Sequence, residues 1–332
     1  MRREFSAFLA ALCTWAVMPA YAVESSPKPA PDCRLKQYAS LDLDISPTEG
    51  IRVPVSINGT DVWMTLNLVA GFSLIAEPAA KTLKLRRRQI SSGSIVANGS
   101  RLTYAGRIDT LKLGGLVYKN AAMALGPFNS TGASPGTLDR PTVGFLGLDV
   151  FAQADFELNL AAKKLQIFSH DHCPGSVVYW TRNYTAMPFS KSEDGSLYFP
   201  LELDGKQVEA TLSTGIATSS IDSNITRTLY GFDENSPGIS KEPFAGDKDV
   251  AGYRAMALTA PGLNILNTRM QLARCNPMCG HATRTINAVL AVGYADCPAQ
   301  FPLHLGQNIL SKLRIYVATK ERMIYISRDD AS

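Results

Sequence analysis

The chain repeats itself at a fixed offset of 146 residues, as from Asn67 to Ser213, and this restricts it to architectures that one unit can build twice. In the first copy Ile57-Asn58-Gly59-Thr60-Asp61-Val62 is followed by Thr65-Leu66-Asn67 and then Ser73-Leu74-Ile75. In the second, Leu203-Asp204-Gly205-Lys206-Gln207-Val208 is followed by Thr211-Leu212-Ser213 and then Ser219-Ser220-Ile221. The copies also end alike. Gly144-Phe145-Leu146-Gly147 answers Leu303-His304-Leu305-Gly306, and each runs into a closing pair of strands, Phe156–Leu160 with Leu165–Phe168 and Arg314–Val317 with Met323–Ile326.

The unit is made of strands. Ile51–Ile57 and Leu197–Leu203 alternate in the period-two manner of a half-buried strand. They run into Asn58-Gly59 and Asp204-Gly205, dipeptides that tolerate the positive φ angles of a tight hairpin. Helical signals are confined to Glu77–Leu83 and Asn224–Tyr230. The expected fold is therefore all-β. The pattern breaks at Asp171-His172-Cys173-Pro174-Gly175 and at Lys191–Gly195, which divides the chain into a first lobe over 41–172, a linker over 173–193 and a second lobe over 194–332.

The first residues read as a signal peptide over 1–22. Arg2 and Arg3 precede an apolar run from Phe8 to Met18, and Ala20-Tyr21-Ala22 supplies the small residues of a cleavage site after Ala22. That run is too short to span a bilayer comfortably, and Leu12 before Cys13 argues against lipid attachment. Residues 23–40 then read as a flexible leader, and no later stretch suggests a membrane anchor. The expected location is the periplasm or the cell exterior. A net charge of +4 in 332 residues gives no reason to expect nucleic acid as a partner. The basic cluster Lys84, Arg86, Arg87 and Arg88 reads as a solvated loop after the first helix, with a docking patch for an anionic partner as the alternative.

Cleavage leaves five cysteines, Cys33, Cys173, Cys275, Cys279 and Cys297, which an oxidising compartment would pair while leaving one over. Cys33 and Cys173 bracket the first copy and are expected partners. Cys275, Cys279, His281 and Cys297 could make a tetrahedral zinc site. The loose spacing of Cys275 and Cys279, in a compartment where thiols oxidise, favours a disulfide of Cys297 with one of them. No metal or cofactor is expected.

A strand, a hairpin, a second strand ending in a small-residue turn and a later apolar-apolar-Gly strand resemble one lobe of the aspartic peptidases. The likeness is to the retropepsin-like branch, and most of all to bacterial exported proteins with two such units in tandem. It extends over residues 33–327 and implies two acid-protease β-barrel lobes related by pseudo-two-fold symmetry, with a cleft between them. The family motif is Asp-Thr/Ser-Gly-Ala at the end of the second strand. Here the second copy reads Ser213-Thr214-Gly215-Ile216, and the first reads Asn67-Leu68-Val69-Ala70. In the family two carboxylates about 3 Å apart share one proton, one serving as base and the other as acid. Neither Asn67 nor Ser213 can do that work near neutral pH. Val69 in place of the motif's glycine is expected to rebuild the first loop, since a β-branched residue resists positive φ.

These residues imply a catalytically inactive homologue whose cleft takes a peptide or protein, with Thr214, Gly215 and Tyr104 as cleft candidates. Residues 92–104 have the place and composition of the family's flap or of an ordinary surface hairpin, and the duplication makes a monomer sufficient. The alternatives are residual or altered hydrolase activity, for which Ser213 with His304 offers a nucleophile and a base, and a metal- or thiol-dependent role of the 275–297 segment.

Overall fold

The computed structural model describes residues 33–329 except 47–49, 91–94, 98–99, 129–139, 194, 238, 245–246 and 274–301. The expected signal peptide lies outside the described residues, as do Cys275, Cys279, His281 and Cys297.

Each copy forms an eight-stranded sheet with the same strand order. In lobe 1 the order is Asp44–Ser46, Gly50–Ile57, Thr60–Leu66, Thr142–Leu146, Leu74–Ala76, Leu116–Gly126, Tyr104–Leu113 and Arg86–Gln89. In lobe 2 it is Ser190–Lys191, Leu197–Leu203, Lys206–Leu212, Leu303–Leu305, Ser220–Asp222, Leu263–Ala273, Asp247–Ala260 and Ser240–Phe244. A further pairing of Gly50–Ile57 with Tyr104–Leu113, and of Leu197–Leu203 with Asp247–Ala260, closes each sheet into a barrel.

The hairpin turns form as expected, with positive φ at Asn58, Gly59, Asp204 and Gly205. The Asn58 side chain accepts from the backbone of Thr110 at 3.0 Å and Asp204 from that of Ala257 at 2.7 Å, pinning each turn to the next strand of its barrel. Apolar positions of these strands, such as Ile51, Val53 and Ile57 in lobe 1 and Phe199, Leu201 and Leu203 in lobe 2, fill the barrel interiors. The expected helices are Glu77–Thr82 and Ser223–Tyr230.

A third sheet takes three strands from each copy, in the order Gln37–Asp42, Lys164–Phe168, Asp155–Asn159, Leu313–Ala318, Met323–Arg328 and Thr185–Pro188. Its two central strands are antiparallel, with Glu157 opposite Tyr316. The matched ends Gly147 and Gly306 place Glu157 and Tyr316 at equivalent positions of the two copies, so the pseudo-two-fold axis runs between them.

The sheet also moves the repeat boundaries. Tyr38 and Tyr184 are 146 residues apart, and both lead edge strands of this sheet. Residues 37–40 of the expected leader are thus strand, and 184–192 of the expected linker belong with the second copy. The basic cluster is no loop either. Lys84 turns the chain at φ 53°, and Arg86–Gln89 is an exposed edge strand.

What remains between the copies, residues 169–183, is a strap across the outer face of the shared sheet. The Cys33–Cys173 disulfide anchors it, with a Cα–Cα distance of 4.7 Å. Beneath it Asp155 and Glu157 are both 0% exposed. The strap gives Asp155 the Nε2 of His172 at 2.6 Å and of His170 at 3.3 Å, and gives Glu157 the Tyr179 hydroxyl at 2.8 Å. Arg314 of the second copy completes Glu157 at 2.8 Å and stacks 4.4 Å from the Trp180 ring. A buried carboxylate is tolerable only with partners of this kind.

Candidate functional site

Asn67 and Ser213 stand at the ends of equivalent strands, Thr60–Leu66 and Lys206–Leu212. Each is tied to the parallel strand beside it, Asn67 N to Leu146 O at 2.8 Å and Ser213 N to Leu305 O at 2.9 Å. Each then starts the same turn, with Ala70 N to Asn67 O and Ile216 N to Ser213 O both at 3.3 Å. Behind the turns the supports match as well. Ser73 donates to Asp149 at 2.5 Å and accepts from Gly147 N at 2.9 Å, while Ser219 donates to Asn308 at 2.7 Å and accepts from Gly306 N at 2.8 Å. Burial pushes the Asp149 carboxyl above the usual range. Gly147 is required by space, since a Cβ there would lie 2.1 Å from the Phe72 carbonyl.

These bonds correct the expectation that Val69 rebuilds the first loop. Neither Val69 nor its counterpart Gly215 adopts positive φ, so a β-branched residue meets no conformational barrier there. The lobe-1 loop has changed its residues and kept its shape.

At this point the Thr214 side chain reaches from lobe 2 into lobe 1. The Thr214 hydroxyl donates to Leu66 O at 2.7 Å and accepts from Leu68 N at 3.1 Å, grasping the lobe-1 backbone on both sides of Asn67. The two copies therefore bring Asn67 and Ser213 together, as a bilobal site requires. The return contact is impossible, because lobe 1 carries Leu68 where lobe 2 carries Thr214. A second tie comes from the start of lobe 2, where Ser196 donates to Val69 O at 2.6 Å.

The chemistry at the two centres is not that of an acid pair. The Asn67 side-chain oxygen accepts from Val69 N at 3.3 Å, and the residue is 6% exposed. Ser213 is 1% exposed, with its hydroxyl 2.9 Å from Nδ1 of His304. Burial lowers the His304 pKa to about 4, so the ring is neutral at pH 7 and a weak base. The serine–histidine pair therefore forms, but inside the lobe and with little basicity. At the position equivalent to His304, lobe 1 has Phe145, packed with Ala70, Leu74, Leu102 and Ala124 in a small apolar cluster.

Other expected residues take these places. Ile95–Ala97 pairs antiparallel with Ser100–Leu102, and residues 98–99 between them lie outside the described residues. Tyr104 is 40% exposed, with the Arg87 guanidinium 4.0 Å from its ring centroid. Thr214 is wholly buried as a tie between lobes, and Gly215 follows it in the turn. Cys33 and Cys173 are joined. Among the described residues no cluster of three His, Cys, Asp or Glu could hold a metal. Sequence reasoning missed Ser196 and the carboxylates under the strap. Thr214 facing Leu68 at equivalent positions was the readable sign of a one-sided tie.

Comparison with known proteins places this geometry. Residues 53–150 match the family described as aspartyl protease. Among solved structures, basic 7S globulin from soybean is similar with a TM-score of 0.52 at 10% identity, over 89% of this chain and 95% of that one. Conglutin gamma, a basic 7S globulin from lupine seeds, gives 0.51 at 11% identity over 89% and 96%. Aspartic proteinase from Irpex lacteus gives 0.48 at 11% over 88% and 97%. No curated protein sequence matches the chain. With its two closed barrels in the same strand order, the chain has the two-lobed, retropepsin-like aspartic-protease fold.

Proposed function

Starting from an aspartic-protease fold, we propose that this protein is an exported, non-hydrolysing member of that architecture that binds a peptide or protein segment between its lobes. The observation that carries the reading is the pair Asn67 and Ser213. They occupy the two central positions, in loops that are otherwise intact, and neither side chain is a carboxylate. Water activation by a shared proton needs two acids, and the site offers an amide and a hydroxyl. The apolar run ahead of Ala22 and the pairing of Cys33 with Cys173 support export, since disulfides persist in oxidising compartments.

The test is incubation of the purified mature protein with a mixed peptide library from pH 3 to 8, with and without a pepsin-type inhibitor. Binding without cleavage is expected. Inhibitor-sensitive cleavage that follows the purified protein overturns the reading. Hydrolysis by Ser213 with His304 is the second reading, favoured by their 2.9 Å contact and opposed by their burial. Cleavage that resists the inhibitor and disappears in Ser213→Ala would establish it.

A further inference from the structure

The edge strand Arg86–Gln89 of lobe 1 carries three consecutive arginines. All four residues are exposed, and among the described residues the strand is paired on one side only, antiparallel to Tyr104–Leu113. Arg86 lies opposite Arg107, Arg88 opposite Ala105 and Gln89 opposite Tyr104. The bond from Ile90 N to Thr103 O at 2.9 Å sets the phase of the ladder. In an antiparallel pair such bonds fall on every second residue, so Ile90, Arg88 and Arg86 bond inward. The N–H and C=O groups of Arg87 and Gln89 then face outward.

The charge around this edge is one-sided. Arg86 and Arg107 share Asp109 at 3.0 and 3.5 Å, and Arg87 lies 3.5 Å from Glu77. Lys84 and Arg88 add two further cations with no ion pair among the described residues. The equivalent edge of lobe 2, Ser240–Phe244, reads Ser-Lys-Glu-Pro-Phe, with balanced charge and a proline that lacks the donor. Proline closes an edge to strand addition and lobe 1 lacks it, while an excess of positive charge repels like-charged strands and leaves the edge open to an acidic one.

We propose that Arg86–Gln89 docks an acidic, extended segment of a partner protein, which adds as one more strand to the lobe-1 sheet. Backbone pairing to Arg87 and Gln89 gives the register, and acidic side chains at every second position line one face of the added strand, where they meet Arg86 and Arg88. The same charge excludes a second copy of this chain, because two such edges would set arginine against arginine. A flat anionic membrane fits less well, since Arg86 and Arg88 point to one face of the sheet and Arg87 to the other. The proposal is independent of what the lobes hold between them.

The test uses the full mature protein and two fluorescent heptapeptides of equal charge, Glu-Val-Glu-Val-Glu-Val-Glu and Glu-Pro-Glu-Pro-Glu-Pro-Glu, read by anisotropy at low salt. The valine peptide is expected to bind and the proline peptide, which cannot form a strand, to bind far more weakly. Arg86→Glu with Arg88→Glu should weaken the valine peptide roughly tenfold. Arg86→Lys with Arg88→Lys should largely retain binding and shows that loss does not come from misfolding. Gln89→Pro removes an outward N–H without a ladder bond and should also weaken binding. Equal binding of both peptides, indifference to the charge reversals, or binding confined to phosphatidylglycerol vesicles would each overturn the proposal.

Discussion

In lobe 1 the residue after Asn67 is Leu68 and the neighbouring strand brings in Phe145; in lobe 2 the corresponding residues are Thr214 and His304. The two loops nonetheless share their turn, their serine support and their tie to the adjacent strand. The contrast separates what the barrel needs from what a reaction needs. Backbone bonds and the close approach at Gly147 and Gly306 hold the loop in both lobes, and they make few demands on the residues between. The central side chain, its buried neighbour and the contact across the lobes are free to differ. Here they do.

The asymmetry is sharpest at the axis, where Asp155 of lobe 1 is the equivalent of Arg314 in lobe 2. Arg314→Ala would leave Glu157 buried without its cation, and should cost about 3–5 kcal/mol in urea unfolding. A loss below about 1 kcal/mol, the level of a surface pair, would show that Glu157 does not depend on the other lobe.

The next test concerns acid. His304 is neutral in the folded chain with a pKa of about 4, while an unfolded histidine titrates near 6.5. As pH falls through that interval the unfolded chain takes up a proton that the folded chain refuses. Stability is therefore full above about pH 6.5 and is lost progressively toward pH 4, by about 3 kcal/mol. His304→Phe, which copies lobe 1, should remove this part of the acid loss when unfolding free energies at pH 7 and pH 4 are compared. An unchanged acid loss would mean that carboxylates elsewhere cause it.

The smallest effect expected is that of Thr214→Val. It keeps the side-chain shape but leaves Leu68 N–H and Leu66 C=O unpartnered, for about 1–3 kcal/mol. If the cross-lobe tie matters as argued, thermal unfolding of this variant should lose cooperativity between lobes. A Ser196→Ala control should lose less.

Much of the fold was legible because the duplication supplied two readings of each strand. The hairpins at Asn58 and Asp204 and both helices follow local rules of turn chemistry and periodicity, and the disulfide of Cys33 with Cys173 follows from their bracketing of the first copy. The shared sheet was harder to read. Gln37–Asp42 is too short and polar to declare itself a strand, and becomes one only because the Lys164–Phe168 edge lies open beside it. Val69 misled for a related reason. The sequence shows a lost glycine but not whether that position needs positive φ, and here it does not. The pair of Ser213 with His304 was visible as a possibility from the repeat, while its burial depends on packing from both strands.

The shared sheet also bears on how the molecule can be divided. Cutting the chain within 174–183 would remove no strand, and Cys33–Cys173 would remain whole in the N-terminal fragment. Separating the fragments would instead bare Asp155–Asn159, with Phe156 and Leu158 buried along it, as a sticky edge. A nicked protein should therefore migrate as one particle, and halves made separately should complement each other in solution.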